Sequence, residues 1–343
     1  MADTSPLEVA SNSDWLPHAF TPDGRRLTAV LVPPDLRAKL TFLTDSYFKG
    51  AVRKDSFETG ALTAATASGA RVPLNFIFNT SFCCSTLLAR ALEVPGCSAS
   101  LKEPNILVNI AERLIGDDSG QVEGELELAL RLLERPFGSA STIIAKPSNF
   151  ANRLLEPILD RRAQSRAVLL YSDAGTFLRS IAKRGLSARI NARRLYRNLA
   201  AWTSLDFGFS SDDLLEQTDL QIAALAWLMQ IAHFQSVLAR WGPKRVVLIE
   251  AADFLAEPAR VLDRIQSLFG LGLEAEQIAG IVNGPIFRKH SKFSEVDYDV
   301  RRQDEDQKAL AQVHSDELEM VIQWLDVVAD HCGVRIRTLS ADR

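Results

Sequence analysis

The chain has 343 residues, 47% hydrophobic and 24% charged, which is enough apolar content for a large core and excludes global disorder. A formal net charge of -4 argues against the broad basic surface of a dedicated nucleic-acid binder, so no nucleic-acid partner is expected. Four cysteines, Cys83, Cys84, Cys97 and Cys332, make no disulfide framework for so long a chain, which points to a reducing compartment with the cytoplasm as default.

The first residues, MADTSPLEVASNSDW, show neither a basic n-region nor an apolar h-region, and no uninterrupted apolar run reaches the ~18 residues of a membrane span. No membrane insertion is expected. Residues 1–70 mix turn formers with one helical stretch at 34–47, where Leu36, Leu40, Leu43 and Tyr47 recur at helical spacing. They read as an N-terminal elaboration packed on the core. From Val72 short apolar runs alternate with amphipathic stretches, in the order of a parallel sheet covered by helices. The spacing predicts strands at 75–79, 142–146, 166–171 and 246–250. Helices are expected near 84–93, 104–115, 123–134, 150–161, 174–184, 219–240, 257–269 and 305–331. The 219–240 stretch is apolar nearly all round and stops at Gly242-Pro243, as a buried helix should. Leu318, Val321, Leu325 and Val328 share one face of the last helix. The fold class that follows is a three-layer α/β protein with a mostly parallel central sheet and helices on both faces, of the P-loop nucleoside triphosphate hydrolase-like kind. Residues 71–300 form its core, and 301–343 a C-terminal helical extension of the same domain.

The chemistry concentrates in NFIFNTSFCCSTLLARALE at 75–93, a buried strand, a run of small polar residues and a helix beginning near Cys83 to Ser85. Loop N–H groups and the unpaired N–H groups of a first helical turn converge on one point there and favour negative charge. Hydroxyls of Thr80, Ser81, Ser85 and Thr86 add donors. The plainer alternative is ordinary helix capping by Ser85 and Thr86. A Walker A loop would need GxxxxGK[ST]; both glycines and the lysine are missing, which disfavours a standard ATPase or GTPase. Lys146 ends a predicted strand in IIAKPSN, where open α/β sheets place ligands, or else it forms a structural ion pair.

SFCCSTLL at 81–88 resembles the PRSGTTLL-like loop of sulfotransferases, with Ser85 and Thr86 on the two threonines. LKEP at 101–104 is similar to the Glu-Pro pair that opens a helix in many members. RAVLLYSDAGTFLRSIAKRG at 166–185 resembles their second nucleotide motif, and RVVLIEAADFLAEPARVLDRIQSLFGL at 245–271 their later strand, turn and helix. The resemblance spans roughly residues 74–105 and 165–271. It implies a sulfotransferase-type P-loop fold, 3′-phosphoadenylyl sulfate as donor, no metal, and a small-molecule or glycan acceptor carrying a hydroxyl or amine. By the same resemblance Thr80, Ser81, Cys83, Cys84, Ser85 and Thr86 would cradle the 5′-phosphosulfate, Ser172 and Ser180 would align with the arginine and serine of the 3′-phosphate site, and Arg288, Lys289 and Lys292 around His290 would form a basic C-terminal loop. Glu103 would act as base for the acceptor, and Lys146, or a residue of the 288–292 cluster, would neutralise the leaving phosphate.

The pattern also departs from the family. Phe82 aligns with the basic residue of the loop, Cys84 with its glycine, Ser172 with the arginine of the second motif, and Ala174 with its proline. Losing one preorganised donor of that kind typically costs ~100–1,000-fold in rate. Cations supplied from elsewhere, a different anion, and a non-catalytic binding protein are the readings this leaves. A kinase-like phosphotransferase using Asp173 of VLLYSD for magnesium is a further alternative. The cysteine pair reads as small buried filler rather than as a thiolate nucleophile, since no histidine lies near it in sequence; His233 or His290 would have to approach in space. The histidines and cysteines show no zinc-ligand spacing. Acceptor walls are expected from the first 70 residues and from 185–218, with its arginines and aromatics.

Overall fold

The computed structural model describes residues 4–50, 52–115, 120–288 and 304–336. Two sheets organise them. Strands β1 (Trp15–Phe20), β2 (Arg26–Leu31) and β3 (Arg53–Glu58) form an antiparallel meander, and β4 (Leu74–Asn79), β5 (Ser98–Lys102), β6 (Thr142–Lys146), β7 (Ala167–Tyr171) and β8 (Val246–Glu250) form a second sheet. In the second sheet the order is β5-β6-β4-β7-β8 and every pairing is parallel.

Strands β4 to β7 are buried at every position, as expected where helices cover both faces of a sheet. The pleat divides their side chains. Phe76, Phe78, Ala145 and Leu169 enter one core, while Ile77, Ile144, Val168 and Leu170 enter another. Helices Asn105–Arg113, Gln121–Leu133 and Leu155–Arg161 supply the first core; Ser85–Ala91, Pro258–Phe269 and Ala275–Val282 supply the second. The result is the three-layer α/β architecture that the alternation of apolar runs implies. From β4 the chain crosses to the edge at β5, returns to β6, and then passes to the other side at β7. The switch in direction therefore flanks β4, and its carboxyl end is where such a sheet opens a crevice.

Several local expectations change. The stretch 34–47 is not one helix: Pro34–Lys39 stops when Leu40 adopts extended backbone, and a short turn of helix resumes at Asp45–Phe48. The break lets Leu43 pair with the edge of the parallel sheet, its N–H donating to the Lys102 carbonyl at 2.8 Å and its own carbonyl accepting from Asn105 N–H at 3.3 Å. Strand β5, of sequence SASLK, is poor in β-formers; pairing along the whole of β6 and complete burial make it a strand. The antiparallel meander likewise carries a proline and a register shift in β1, which hide its period. At 150–161 the chain forms a 3-10 turn, Asn149–Leu154, before the helix Leu155–Arg161.

Helix Asp219–Trp241 has the length and hydropathy of a membrane span, which the absence of an uninterrupted apolar run conceals. In this fold most of its surface is buried, against Leu186–Ala200 on one side and against Val321, Leu325 and Val328 of the helix Asp304–His331 on another.

The N-terminal meander is pinned to the core by Arg135. Its buried guanidinium donates to the carbonyls of Val9, Asn12 and Trp15, the last at 2.6 Å, and to Leu132 O at 2.6 Å. Burial pushes its pKa down to about 9, with Asp14 opposing the shift. Arg135→Met removes its hydrogen bonds to those carbonyls, of which Asn12 keeps a bond from Trp15 N–H, and is expected to lower the unfolding free energy by ~2–4 kcal/mol in urea denaturation. An unchanged midpoint would mean that the carbonyls find other donors.

Candidate functional site at the carboxyl ends of the parallel strands

The loop after β4 takes its shape from Asn79. The Asn79 Oδ1 accepts from Ser81 N–H at 3.0 Å, and its Nδ2 donates to the Pro147 carbonyl at 2.9 Å. Asn152 Nδ2 then donates to the Asn79 carbonyl at 3.1 Å and to Gln230 Oε1 at 3.2 Å, an oxygen that also accepts from Asn149 at 3.3 Å. These bonds fasten the loop to the turn after β6 and to the buried helix Asp219–Trp241. From there the backbone runs left-handed at Ser81 (φ 71°), Phe82 (φ 51°) and Cys84 (φ 61°), and the helix Ser85–Ala91 begins. Alternation of hand along such a turn directs successive N–H groups into one concavity, which suits an anion. Cys84 stands in the left-handed conformation that glycine adopts without strain.

The concavity opens into a cavity of about 740 Å³ lined by Ser81 to Leu87, Arg90, Glu93, Lys102, Glu103, Lys146 and Arg184, with Ala38, Phe42, Asn79, Pro285 and Ile286 completing its walls. Parallel pairing sets Lys102 directly beside Lys146, each the last residue of its strand. Lys146 Nζ forms an ion pair with Glu103 and stands 5.2 Å from the centroid of the Phe42 ring. Glu103 reaches it from a left-handed backbone (φ 53°), with its N–H donating to the Lys146 carbonyl at 2.6 Å. Lys102, only 1% exposed, pairs with Glu93 Oε2 at 3.5 Å. Burial lowers the Lys102 pKa, Glu93 opposes that shift, and the nearby charges of Arg90 and Arg37 add to it. The lining carries four cations, Arg90, Lys102, Lys146 and Arg184, against the two carboxylates Glu93 and Glu103. Positive charge is in surplus.

Of the residues singled out from the sequence, Ser81, Cys83, Cys84, Ser85, Thr86, Glu103 and Lys146 meet in this cavity. Others stand elsewhere. Thr80 is buried, with its N–H donating to the Leu170 carbonyl at 3.1 Å, so it belongs to the sheet rather than to the cavity wall. Ser172 is buried beneath Trp227, whose Nε1 donates to its carbonyl at 2.9 Å. Ser180 Oγ donates to the Thr176 carbonyl of its own helix at 2.9 Å. Neither serine lines the cavity, because the chain turns into the Ala174–Arg184 helix directly after β7. Asp173, the carboxylate considered for magnesium, caps that helix by accepting from Thr176 N–H at 2.9 Å and does not line the cavity. Arg288 lies two residues beyond the lining residue Ile286, and Lys289, His290 and Lys292 lie outside the described residues. Among the described residues no group of three His, Cys, Asp or Glu is placed to hold a metal.

Sequence reasoning missed Arg90, Arg184 and Phe42 as lining residues. Arg90 had a signal, since it follows Thr86 by one helical turn and shares its face. A second, smaller cavity of about 310 Å³ shares Ser81, Phe82, Glu103 and Arg184 with the first. It continues past Asn149, Phe150, Phe177, Ile181, Asn191 and Leu195. From the N-terminal region Ala38 and Phe42 line the first cavity, and from 185–218 Ser187, Ala188, Asn191, Ala192 and Leu195 line the other.

No family model and no curated protein sequence matches this chain. Solved structures similar to it include sulfotransferase STF1 from Mycobacterium tuberculosis H37Rv, at 11% identity and a TM-score of 0.42, covering 76% of this chain and 83% of that one. The sulfotransferase domain of the Synechococcus PCC 7002 olefin synthase is similar at 15% identity and a TM-score of 0.39, covering 73% and 96%. Mouse sulfotransferase SULT7A1, complexed with PAP, is similar at 14% identity and a TM-score of 0.33, covering 66% and 70%. The chemistry has to be read from the cavity's own residues.

The cysteine pair illustrates this. Burial raises the Cys83 pKa, with the Lys146 charge and donors on Ser85 and Thr80 pulling the other way, and burial with the neighbouring Cys83 pushes Cys84 up to about 11. His233 offers no base here, because it lies in another cavity with Trp202 and Glu156. A raised pKa keeps the thiol protonated at neutral pH, so at about pH 8 the thiolate of Cys84 is on the order of one part in a thousand. Iodoacetamide at that pH is expected to leave both residues unmodified in peptide mapping. Rapid labelling of Cys84 would reinstate a nucleophile.

Proposed function

We propose that this chain transfers a sulfuryl group from 3′-phosphoadenylyl sulfate to a hydroxyl or amine of a small acceptor. One observation supports the reading above the others: a single cavity joins the concave loop 81–86 to the buried Lys146–Glu103 pair and carries surplus positive charge. In-line transfer needs little more than positioning and charge stabilisation. The acceptor oxygen or nitrogen attacks sulfur while the bond from sulfur to the phosphate oxygen breaks. Glu103 takes the acceptor proton, and 3′-phosphoadenosine 5′-phosphate leaves with its new charge facing Lys146.

The ion pair suits both roles. Lys146 is 3% exposed and Glu103 20% exposed in their side chains, so the lysine is the fixed member and the carboxylate faces the open space. Glu103 also lines the smaller adjoining cavity, as do Ser81, Phe82 and Arg184, and its carboxylate supports a donor site and an acceptor site meeting there. That second space mixes aromatic and aliphatic walls with Asn149 and Asn191. Its size and walls favour a compact, partly apolar acceptor over a glycan.

Two measurements test the reading. Calorimetric titration with 3′-phosphoadenosine 5′-phosphate is expected to give saturable binding, and no binding at ~1 mM, a weak affinity for a nucleotide site, would overturn it. Glu103→Gln keeps the shape of the site and removes the base. It is expected to lower transfer by ~100–10,000-fold while nucleotide affinity changes far less. Equal turnover in the variant would exclude Glu103 as the base.

A further inference from the structure

Two of the four cavity cations are neutralised where they stand, Lys146 by Glu103 and Lys102 by Glu93. Arg90 and Arg184 have no carboxylate partner among the described residues. Arg90 lines the cavity from the last turn of the Ser85–Ala91 helix, within range of the Lys102 charge. Arg184 lies against the loop itself, its guanidinium carbon 4.7 Å from the centroid of the Phe82 ring. Phe82 occupies the loop position at which similar loops carry a basic residue, so a cation stands beside that position without being encoded there.

The fold holds it in place. The Phe82 ring meets Phe177 on another side, with centroids 5.8 Å apart. Phe177, Ile181 and Arg184 follow one another at i, i+4 and i+7 on the Ala174–Arg184 helix, so one helical face is presented to the loop. The helix ends immediately afterwards, at Gly185 with φ 67°, which leaves Arg184 on its carboxyl rim. A helix terminus by itself favours a cation anywhere in the last turn. The aromatic contact selects the side facing the cavity. Stacking engages the face of a guanidinium and leaves its edge N–H groups free to donate, a combination that lysine cannot offer.

We propose that Arg184, carried on Phe82, is the working cation of the anion-binding loop, and that the pair recognises the phosphosulfate or phosphate group seated there. The ligand identity rests on the donor reading given above; the role of the cation does not. The arrangement transfers a charge from the loop to a neighbouring helix and uses an aromatic ring in the loop to hold it.

The test is a calorimetric panel with two probes, 3′-phosphoadenosine 5′-phosphate and inorganic pyrophosphate. Arg184 is exposed, so Arg184→Met is expected to fold with an unchanged melting temperature. It should weaken binding of both probes by about 10–100-fold, the scale of a charge-assisted hydrogen bond, whereas Arg184→Lys should recover only part of the loss. The deciding variant is Phe82→Arg combined with Arg184→Met, which returns the cation to the loop and should restore affinity to within about fivefold of the parent. Equal affinity in the parent and Arg184→Met, or no recovery in the double variant, overturns the proposal. If the parent binds pyrophosphate in an Arg184-dependent way but not the nucleotide, the loop cation stands and the donor reading falls. If the parent binds neither, both fall.

Discussion

A lysine brought almost wholly out of water at the end of a central strand is the constraint around which the site is arranged. Lys146 carries its charge at 3% exposure, and removing an ammonium group from water costs several kcal/mol unless a partner and hydrogen bonds compensate. Glu103 is that partner. To reach it, the chain after β5 adopts a left-handed turn at Glu103 and closes a backbone hydrogen bond onto Lys146 itself. Parallel register brings the two strand ends together, and the N-terminal elaboration lays Phe42 over the ammonium group. Parallel register, a left-handed residue and an added segment all meet at one buried charge.

The loop beside it shows a second economy. Three of its residues, Ser81, Phe82 and Cys84, take left-handed backbone without glycine, a conformation that costs side-chain-bearing residues roughly 1–2 kcal/mol each. Asn79 offsets part of this by capping Ser81 N–H and tying the loop to Pro147, and through Asn152 to Gln230 on the buried helix. A loop that lacks the usual glycines therefore depends on an amide network reaching three separate elements. That network also explains why residues far apart in the chain line one cavity.

Charge is distributed in the same cooperative manner. None of the cavity's four cations belongs to the loop; they come from the helix after it, from the ends of β5 and β6, and from the end of the Ala174–Arg184 helix. Within the loop Phe82 packs against Phe177, and after β7 Ser172 is buried under Trp227. The cavity thus keeps a positive balance through residues outside the loop.

The long periodic elements were legible in the sequence. Apolar runs of period-free strand and helical stripes such as Val321, Leu325 and Val328 report burial directly, and β4, β6, β7 and β8 with most of the helices stand where the pattern puts them. The strand–loop–helix segment after β4, with Ser81, Ser85 and Thr86 in the cavity wall, was also visible, because a run of small polar residues separates a buried strand from a helix. Strand β5 was not visible: SASLK acquires its conformation from β6 and from burial, not from its own propensity. Nor could the sequence distinguish Lys102 from an exposed lysine, remove Ser172 and Ser180 from the cavity, or bring Arg184 to Phe82. Each of these depends on the register of strands and the facing of helices that lie tens of residues apart. Chain order thus determined the class of fold and the position of the loop. Only tertiary contact decided which charges surround it.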